Sequence, residues 1–188
     1  MKNIIKNAII LTLITLVAGT ALAFVYSITK EPIAQADKKA TAEAYKIVCS
    51  EAESFNELEL KEYKDENNST VSAVSEVKAG QEIIGYVMTT ASKGYGGDIK
   101  LAMGIDLSGN ITGISILDAS DETPGLGAKV KEDSFTSQFA GINANTLDTD
   151  VDAISGATYS SKGVRNAVKA GLKYYAENFA KGEGLSNE

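Results

Sequence analysis

A long apolar segment lies near the start of the chain. Residues Asn7–Thr29 carry no charged side chain and consist mainly of Ile, Leu, Ala, Val and Phe. As a helix, such a segment extends roughly 35 Å, which is enough to cross the hydrocarbon core of a bilayer with some tilt. Lys2 and Lys6 precede the segment and Lys30 follows it closely. The pattern predicts one transmembrane helix.

Two questions about this segment stay open from the sequence. Ala21-Leu22-Ala23 has the small residues of a signal-peptide cleavage site, but the apolar run continues past it, so we expect a retained anchor. Basic residues lie on both sides of the segment, and their count does not decide its orientation. We expect a short N-terminal tail in the cytoplasm and the rest of the chain outside it.

The next stretch has a helical period and then loses it. Apolar residues recur at steps of three and four over Ile33–Val48, which predicts a helix that continues or abuts the membrane helix. Pro32 is compatible with this because proline is tolerated in a first helical turn. The stretch Glu51–Asn68 is acidic and weakly patterned. We expect a connection there, with a turn at Asp65–Ser69.

From Thr70 onward, apolar and polar residues alternate in short runs, which is typical of strands. The Asp, Ser, Gly and Asn of Asp106–Asn110 predict a hairpin turn, and short connections of this kind favour an antiparallel sheet. After the sheet, Asp133–Phe139 predicts a short helix and Ile142–Asp150 a polar connection. The predicted strands are Val71–Val77, Ile83–Thr90, Ile99–Ile105 and Ile111–Ile116.

The last predicted element is an amphipathic helix with one apolar stripe. We expect Ser160 or Ser161 as its N-cap and an end near Ala180, where Gly182 and Gly184 stop it. The fold class is therefore α+β, with one N-terminal transmembrane helix followed by an extracytoplasmic domain in which helices pack on a mainly antiparallel sheet.

Four regions follow from these elements. We expect a membrane anchor with a short cytoplasmic tail at residues 1–30, a helix and connecting segment at 31–69, the sheet domain at 70–182, and a tail at 183–188.

Composition narrows the chemistry that the chain can perform. The 188 residues carry a net charge of −7, which disfavours nucleic acid as a partner. There is no histidine, so the usual general base, haem ligand and zinc ligand are missing. Cys49 is the single cysteine, which excludes an intrachain disulfide and a Cys-ligated cluster built by this chain alone. A redox role would require a cofactor such as a flavin.

The sequence of Asp152–Ser161, DAISGATYSS, is the strongest candidate for a binding site. A glycine-containing turn that leads into a helix presents unpaired backbone N–H groups beside the positive end of the helix dipole, and this arrangement suits a phosphate. Thr158 adds a hydroxyl at that place. The alternative is a turn that only caps the helix. The other phosphate-binding candidates are Ser155, Gly156 and Ala157, with the hydroxyls of Ser160 and Ser161 nearby.

Two further patches are candidates for the same site. Within Glu122–Gly127, the Thr-Pro-Gly sequence predicts a type II turn, although the loop could equally be a simple connection. Gly94–Gly97, with sequence GYGG, precedes a predicted strand. It matches neither a dinucleotide-binding fingerprint nor a P-loop, and could be a flexible strand entry with a surface tyrosine.

Together these patches resemble the FMN-binding domains of respiratory ion pumps over roughly Gly85–Leu172. Among these, the chain is most similar to the G-subunit family of Rnf-type ferredoxin:NAD oxidoreductases, since it has one N-terminal membrane helix and is short. The C subunit of sodium-pumping NADH:quinone reductases is similar in motif but usually longer, and is the alternative. The motifs that carry the resemblance are Gly94–Gly97, Gly104-Ile-Asp106, Glu122–Gly127, Phe135 with Gln138-Phe139, and Asp152–Ser161.

The resemblance implies a covalent cofactor. Thr158 would carry FMN through a phosphoester, attached by a separate flavin transferase. The flavin ring would lie against the Glu122–Gly127 loop, with Glu122, Thr123, Leu126 and Gly127 as contacts and Tyr95 on another side. No catalytic residue and no metal site is expected.

The resemblance also implies a role within a complex. The FMN would relay electrons between partner subunits of the Rnf A, B, C, D and E types, coupling ferredoxin:NAD electron transfer to export of Na⁺ or H⁺. Two alternatives stay open: a freestanding extracellular flavin reductase, and a membrane-anchored scaffold in which the SGAT turn is only a helix cap.

Overall fold

The computed structural model of the chain describes residues 2–60 and 63–180. These residues form two compact units, one comprising the described residues up to Ala40 and the other beginning at Thr41. The boundaries expected from the sequence at residues 30, 69 and 182 stay predictions.

The first helix, α1, spans Lys2–Val48 without a break. It is long and apolar enough to cross a membrane, its apolar stretch is not covered by other parts of the protein, and it is the only such helix in residues 2–60 and 63–180. The expectation that the two predicted helical segments continue into each other is confirmed. Pro32 lies inside α1, where its missing N–H leaves the carbonyl of Ile28 without its usual helical donor.

One antiparallel sheet forms the centre of the second unit. Its strands follow the order β1-β3-β4-β5-β6, and β2 pairs with the same edge of β3 as β1 does. The four strands predicted from alternation and from β-branched and aromatic residues are confirmed and are each longer than predicted. The strand bounds are β1 Ser54–Glu57, β2 Tyr63–Lys64, β3 Thr70–Ala79, β4 Glu82–Lys93, β5 Asp98–Asp106 and β6 Ile111–Asp118.

The expectation of a plain connection over Glu51–Asn68 was wrong in part, because β1 and β2 lie there. Both are short and partly exposed edge strands. Backbone hydrogen bonds to β3 hold them in the sheet, and their side chains show no alternation that would predict a strand. The expected turn at Asp65–Ser69 is confirmed: the Asp65 carboxylate accepts hydrogen bonds from the backbone N–H groups of Asn67 and Ser69 at 2.9 and 2.7 Å. The Asp106–Asn110 hairpin turn is confirmed as well.

Short helical segments follow the sheet. The expected helix at Asp133–Phe139 is an α-helical turn, α2 (Asp133–Thr136), continued by a 3₁₀ turn at Ser137–Phe139, and both predicted phenylalanines are buried. The expected polar connection at Ile142–Asp150 contains one helical turn, α3 (Leu147–Asp150), which the sequence pattern missed because only Leu147 faces the core.

The last helix, α4, spans Thr158–Asn178 and packs on the face of the sheet formed by Met88, Leu101 and Met103. The predicted N-cap was wrong. Helix α4 begins at Thr158, two residues before Ser160, and Ala157 is at the N-cap position. Ser160 and Ser161 are buried in the first turn of the helix and do not cap it. Gly182 and Gly184, expected to end the helix, lie outside the described residues.

The opposite face of the sheet is covered in part by the end of α1. Ala44, Tyr45 and Val48 pack there against Val87 and Ala102, and the Tyr45 hydroxyl is hydrogen-bonded to Thr89 at 2.8 Å. The sheet of the second unit thus has a helix packed on each face, and the α+β expectation of helices on a mainly antiparallel sheet is confirmed.

Candidate functional site

The turn before α4 is fixed by its glycine and by a buried serine. The N–H of Ala157 donates to the carbonyl of Ile154 at 2.9 Å, and Gly156, the third residue of this turn, has φ +79°. A positive φ at that position is the mark of a type II turn, which glycine adopts without steric cost. The Ser161 hydroxyl accepts from the N–H of Ile154 and donates to the carbonyl of Ala157, both at 3.0 Å. Ser161 therefore holds the turn against the helix.

Helix α4 starts without a side-chain cap. Ala157 at the N-cap position has no side-chain acceptor, although Ser, Thr, Asp and Asn are preferred there. The N–H groups of Thr158, Tyr159 and Ser160 have no acceptor within the helix because of their position in its first turn. The Thr158 side chain is exposed, and its hydroxyl has no hydrogen-bond partner within residues 2–60 and 63–180. Backbone donors and a free hydroxyl thus meet at one point.

The predicted type II turn in the Glu122–Gly127 loop is confirmed. The N–H of Leu126 donates to the carbonyl of Thr123 at 3.1 Å, Pro124 is the second residue of the turn, and Gly125 is the third with φ +78°. A 3₁₀ turn at Gly127–Lys131 follows it. The turn leaves the Leu126 side chain 47% exposed.

The Gly94–Gly97 patch forms the tip of the hairpin between β4 and β5. The N–H of Gly94 donates to the carbonyl of Gly97 at 2.8 Å. A Cβ atom at Gly96 would collide with the backbone carbonyl of Asp121, and one at Gly97 with the Asp121 side chain. Glycine at these positions therefore allows the tip to lie directly against the loop that begins at Asp121.

The three patches meet around one cavity of about 500 Å³. This volume lies in the range of small-molecule sites in proteins. Eight of the eleven residues predicted from the sequence are in its wall, from all three patches. The lining residues are Tyr95, Thr123, Leu126, Gly127, Gly156, Ala157, Thr158, Tyr159 and Ser160.

Three predicted residues are outside the cavity wall. Ser155 is exposed in the turn before α4, and Ser161 is buried and bonded to that turn. Glu122 is only 3% exposed, and its carboxylate is hydrogen-bonded to protein groups on both oxygens. Contacts of these three residues with a cofactor stay predictions.

One residue of the cavity wall was missed by the sequence reasoning. Tyr159 is 71% exposed, and its ring centroid lies 6.3 Å from that of Tyr95, which is 70% exposed. Two exposed tyrosines side by side give the cavity an aromatic rim. Tyr159 could have been predicted from the sequence, because it directly follows Thr158 and is outside the apolar stripe of the helix.

A metal centre has no support in the described part of the chain. Residues 2–60 and 63–180 contain no group of three or more His, Cys, Asp or Glu side chains placed to hold a metal ion. The site therefore consists of backbone donors, hydroxyl groups, and aromatic and apolar side chains.

Comparison with known protein families agrees with this geometry. An FMN-binding domain model matches residues 94–173, which contain all three patches. An RnfG N-terminal region model matches residues 1–48, a range that includes all of α1. The chain has a distant likeness to the crystal structure of Shewanella oneidensis NqrC, with a TM-score of 0.47 at 19% identity over 65% of this chain and 66% of that one.

Relatives of known name match nearly the whole chain. The G subunit of the proton-translocating ferredoxin:NAD(+) oxidoreductase complex of Clostridium ljungdahlii is 32% identical over 87% of this chain and 86% of that protein. The G subunit of an ion-translocating oxidoreductase complex of Methanosarcina acetivorans is 33% identical over 92% and 95%. The G subunit of the Na(+)-translocating complex of Acetobacterium woodii is 31% identical over 96% and 95%. The chain thus belongs to the G-subunit family of Rnf-type ion-translocating oxidoreductase complexes, and it contains that family's FMN-binding domain.

Proposed function

We propose that this chain is the electron-relay subunit of a membrane-bound, redox-driven ion pump, and that it carries FMN through a phosphoester on Thr158. One observation carries the proposal: a free, exposed threonine hydroxyl lies at the uncapped start of α4, in the wall of a cavity of about 500 Å³. The names of the Clostridium and Acetobacterium relatives supply the reaction, which is electron transfer from ferredoxin to NAD(+) coupled to ion translocation.

The start of α4 fits a phosphate group. The N–H groups of the first helical turn point away from the helix without acceptors, and the helix dipole adds partial positive charge at the same place. The type II turn at Ile154–Ala157 keeps small residues, Gly156 and Ala157, beside Thr158, so the backbone can be approached closely. These features support phosphate binding without a basic side chain.

The rest of the cavity fits a flat aromatic ring. Leu126 offers an apolar surface, Tyr95 and Tyr159 offer aromatic ones, and Thr123 adds a polar group. Exposed apolar and aromatic groups gain free energy when a ring system covers them. FMN, when bound, supplies the capacity to accept and release electrons. The protein positions it and excludes water from part of its surface.

Attachment to Thr158 requires an activated donor. The Thr158 oxygen forms a bond to the phosphorus of a flavin nucleotide, the phosphoanhydride bond at that phosphorus breaks, the released nucleotide departs as leaving group, and the hydroxyl proton passes to a base of the flavin transferase. We assign that base to a separate flavin transferase, which also binds the nucleotide donor.

A covalent link is favourable for a domain outside the cytoplasm. Where free FMN is scarce, a reversible site would lose its cofactor by mass action, whereas an ester retains it. We therefore place α1 in the membrane with its N-terminus in the cytoplasm, and the FMN domain on the other side. Partner subunits of the Rnf A, B, C, D and E types would then give electrons to this FMN and take them from it.

Intact mass and in-gel fluorescence test the proposed link. The protein, produced in cells with a flavin transferase, should gain the mass of FMN less one water on the peptide that contains Thr158, and its band should fluoresce after denaturation. Thr158→Val should lose both signals, and Thr149→Val, which changes an exposed threonine outside the cavity wall, should keep them. A wild-type protein with the mass of its amino acids alone contradicts the proposal.

Protease accessibility tests the orientation. In intact spheroplasts, protease added from outside should cleave the domain that begins near Thr41, while in inverted vesicles the domain should be protected. Cleavage in inverted vesicles alone would place the domain in the cytoplasm and contradict this part of the proposal.

A further inference from the structure

Glu122 is a buried carboxylate between three segments of the chain. Its side chain is 3% exposed although it belongs to a surface loop. Oε1 accepts hydrogen bonds from the backbone N–H groups of Tyr95 and Gly96 at 2.9 and 3.1 Å, and Oε2 accepts from the hydroxyl of Ser160 at 2.5 Å. One side chain thus joins its own loop to the β4–β5 hairpin tip and to the first turn of α4.

Glycines leave the space that this carboxylate occupies. A Cβ atom at Gly94 would collide with Oε1 of Glu122, and a Cβ atom at Gly127 would collide with Oε2 and lie 2.5 Å from the Ser160 hydroxyl oxygen. At Gly163, one turn further along α4, a Cβ atom would lie 2.8 Å from the carbonyl of Lys93 at the end of β4. The close approach of hairpin tip, loop and helix therefore depends on glycine on each of the three segments.

The joined segments are the ones that form the cavity wall. Tyr95 lies on the hairpin tip, Leu126 on the Glu122 loop, and Thr158 and Ser160 on the first turn of α4. Without the carboxylate, two backbone N–H groups and one hydroxyl would lose their acceptor, and the segments would lose their common anchor. The shape of the cavity around Thr158 thus depends on a residue outside its wall.

The carboxylate also sets the polarity of Ser160. The proton of the Ser160 hydroxyl is used in the bond to Glu122, so toward the cavity this hydroxyl can only accept a hydrogen bond. An acceptor there disfavours phosphate oxygens and favours an N–H or O–H group of a ligand. The Ser160 hydroxyl, expected from the sequence to bind the cofactor, therefore suits donor groups of the flavin or its ribityl chain better than phosphate oxygens.

We propose that Glu122 is a positioning residue of the flavin site, which holds the Gly94–Gly97 tip against the start of α4 and thereby gives the cavity the shape in which FMN is attached to Thr158 and held. This inference rests on the proposed function, and it extends it to a residue whose expected role was direct contact with the cofactor.

Three variants of the full-length protein test the inference, each produced with and without a flavin transferase. Glu122→Ala removes every bond of the carboxylate. Glu122→Gln is isosteric: its oxygen can keep both backbone N–H donors, and its amide group can donate to Ser160. Glu82→Gln, at an exposed carboxylate at the start of β4, is the matched control for loss of one charge.

The measurements separate positioning from folding. In protein without flavin, amide hydrogen exchange at Tyr95 and Gly96 should be faster in Glu122→Ala while exchange in the centre of the sheet is unchanged. In protein with the transferase, the initial rate of flavin attachment should fall about tenfold or more in Glu122→Ala, because small displacements of a reacting group have large effects on rate. Fluorescence anisotropy of the attached flavin should fall as well.

Rescue by the conservative variant is the decisive comparison. Glu122→Gln should restore most of the attachment rate, and Glu82→Gln should equal the wild type. If Glu122→Ala fails to accumulate, Ser160→Ala removes the bond to α4 alone and should slow attachment. In a Glu122→Gln background the same change should have a smaller effect, because it removes a neutral amide–hydroxyl bond and not a bond to a charged carboxylate.

The two proposals can fail separately. If wild-type protein carries no covalent flavin, the proposed function fails. If wild-type protein is flavinylated, Thr158→Val is not, and Glu122→Ala is flavinylated at the wild-type rate with the wild-type anisotropy, only the positioning role of Glu122 is overturned.

Discussion

Cys49 follows directly on the last residue of α1, on the face of the sheet opposite α4. Its thiol lies 3.9 Å from the Thr112 hydroxyl, which donates to the carbonyl of Val48 at 2.5 Å. Burial raises the pKa of the Cys49 thiol above its ordinary value of 9.0, and the hydrogen bond with Thr112 offsets only part of that increase. These contacts indicate a packing role for Cys49 rather than a reactive one.

The raised pKa has a direct consequence for reactivity. The thiolate is the nucleophile, and at any pH near neutrality a raised pKa leaves less of it than in a free thiol. We expect iodoacetamide to alkylate native Cys49 about tenfold or more slowly than an unstructured cysteine peptide. Mass spectrometry of timed samples measures the rate, and unfolding in urea should restore the rate of the peptide. A native rate equal to that of the peptide would contradict the prediction.

Asp118 is an example of the opposite shift. Its carboxylate accepts from the backbone N–H of Ser120 at 2.9 Å, and that bond, aided by the Ser120 hydroxyl, lowers the pKa of Asp118 below its ordinary value of 3.8. Because the pKa of Asp118 is lower in the folded than in the unfolded protein, the charged carboxylate stabilises the fold at pH values above 3.8. This stabilisation is lost as the pH falls through the pKa of Asp118 in the folded protein.

Asp118→Asn removes the stabilisation that comes from the charged carboxylate. The variant should be less stable than the wild type near neutral pH, and the difference in the free energy of unfolding should shrink as the pH falls below 3.8. Urea unfolding followed by circular dichroism measures it, since the chain has no tryptophan. A difference that is the same in neutral and strongly acidic buffer would show that this carboxylate does not act through its charge.

At the scale of elements, two type II turns place residues of the cavity wall. The turn at Thr123–Leu126 has Pro124 and Gly125 at its centre, and the turn at Ile154–Ala157 has Ser155 and Gly156. Each ends beside the cavity, where it presents Leu126 and the start of α4. Because a residue with a side chain is strained at φ near +79°, glycine determines the direction in which the chain leaves each turn.

Gly156→Ala tests whether that direction matters for the site. Gly156 and Gly141 both have φ +79°, but Gly141 is remote from the cavity wall and has open space around it. Gly156→Ala and Gly141→Ala should each lower the free energy of unfolding by about 1 kcal/mol, because alanine is strained at this φ. Only Gly156→Ala should also slow flavin attachment to Thr158, measured by in-gel fluorescence. Equal attachment rates in the two variants would show that the turn has no role beyond connection.

At the scale of the whole molecule, the sheet requires a cover on both faces. Helix α4 covers one face, with Gly171 allowing close contact to Met103 and Thr90. On the other face, Ala44, Tyr45 and Val48 of α1 belong to the unit that begins at Thr41, and they are 4%, 8% and 3% exposed. The residues that complete the second core are thus part of the same helix as the apolar stretch that suits a membrane.

Truncation at two positions tests this arrangement. A protein that begins at Thr41 should be soluble and should unfold cooperatively, because it keeps the apolar clusters on both faces of the sheet. A protein that begins at Ser50 lacks Ala44, Tyr45 and Val48, and should be less stable by about 3 kcal/mol or more, the usual cost of removing large buried side chains. Urea unfolding by circular dichroism gives the difference. Equal stability of the two would mean that α1 is not part of the folded unit.

Much of the fold could be predicted from local patterns. Four strands between Thr70 and Ile116 were predicted correctly from alternation and from β-branched and aromatic runs, because such runs are typical of strands even where both faces are buried, as in β4 and β5. The stripe of α4 and the Pro-Gly turn were equally local signals. Strands β1 and β2 were missed because they are short edge strands whose order comes from pairing with β3, and the N-cap was misplaced because Ser160 and Ser161 face inward.

By itself, the sequence determined the membrane-length helix, the class of the fold, the turn that presents Thr158, and the family, since each depends on residues close together along the chain. The tertiary structure alone decided which groups remain free for a ligand. Glu122 lies 38 residues from Ser160 and 26 from Gly96, and only folding brings them together. Their mutual hydrogen bonds use up a carboxylate, and the proton of a hydroxyl, that the sequence assigned to the cofactor, because a polar group that is buried needs a partner within the protein.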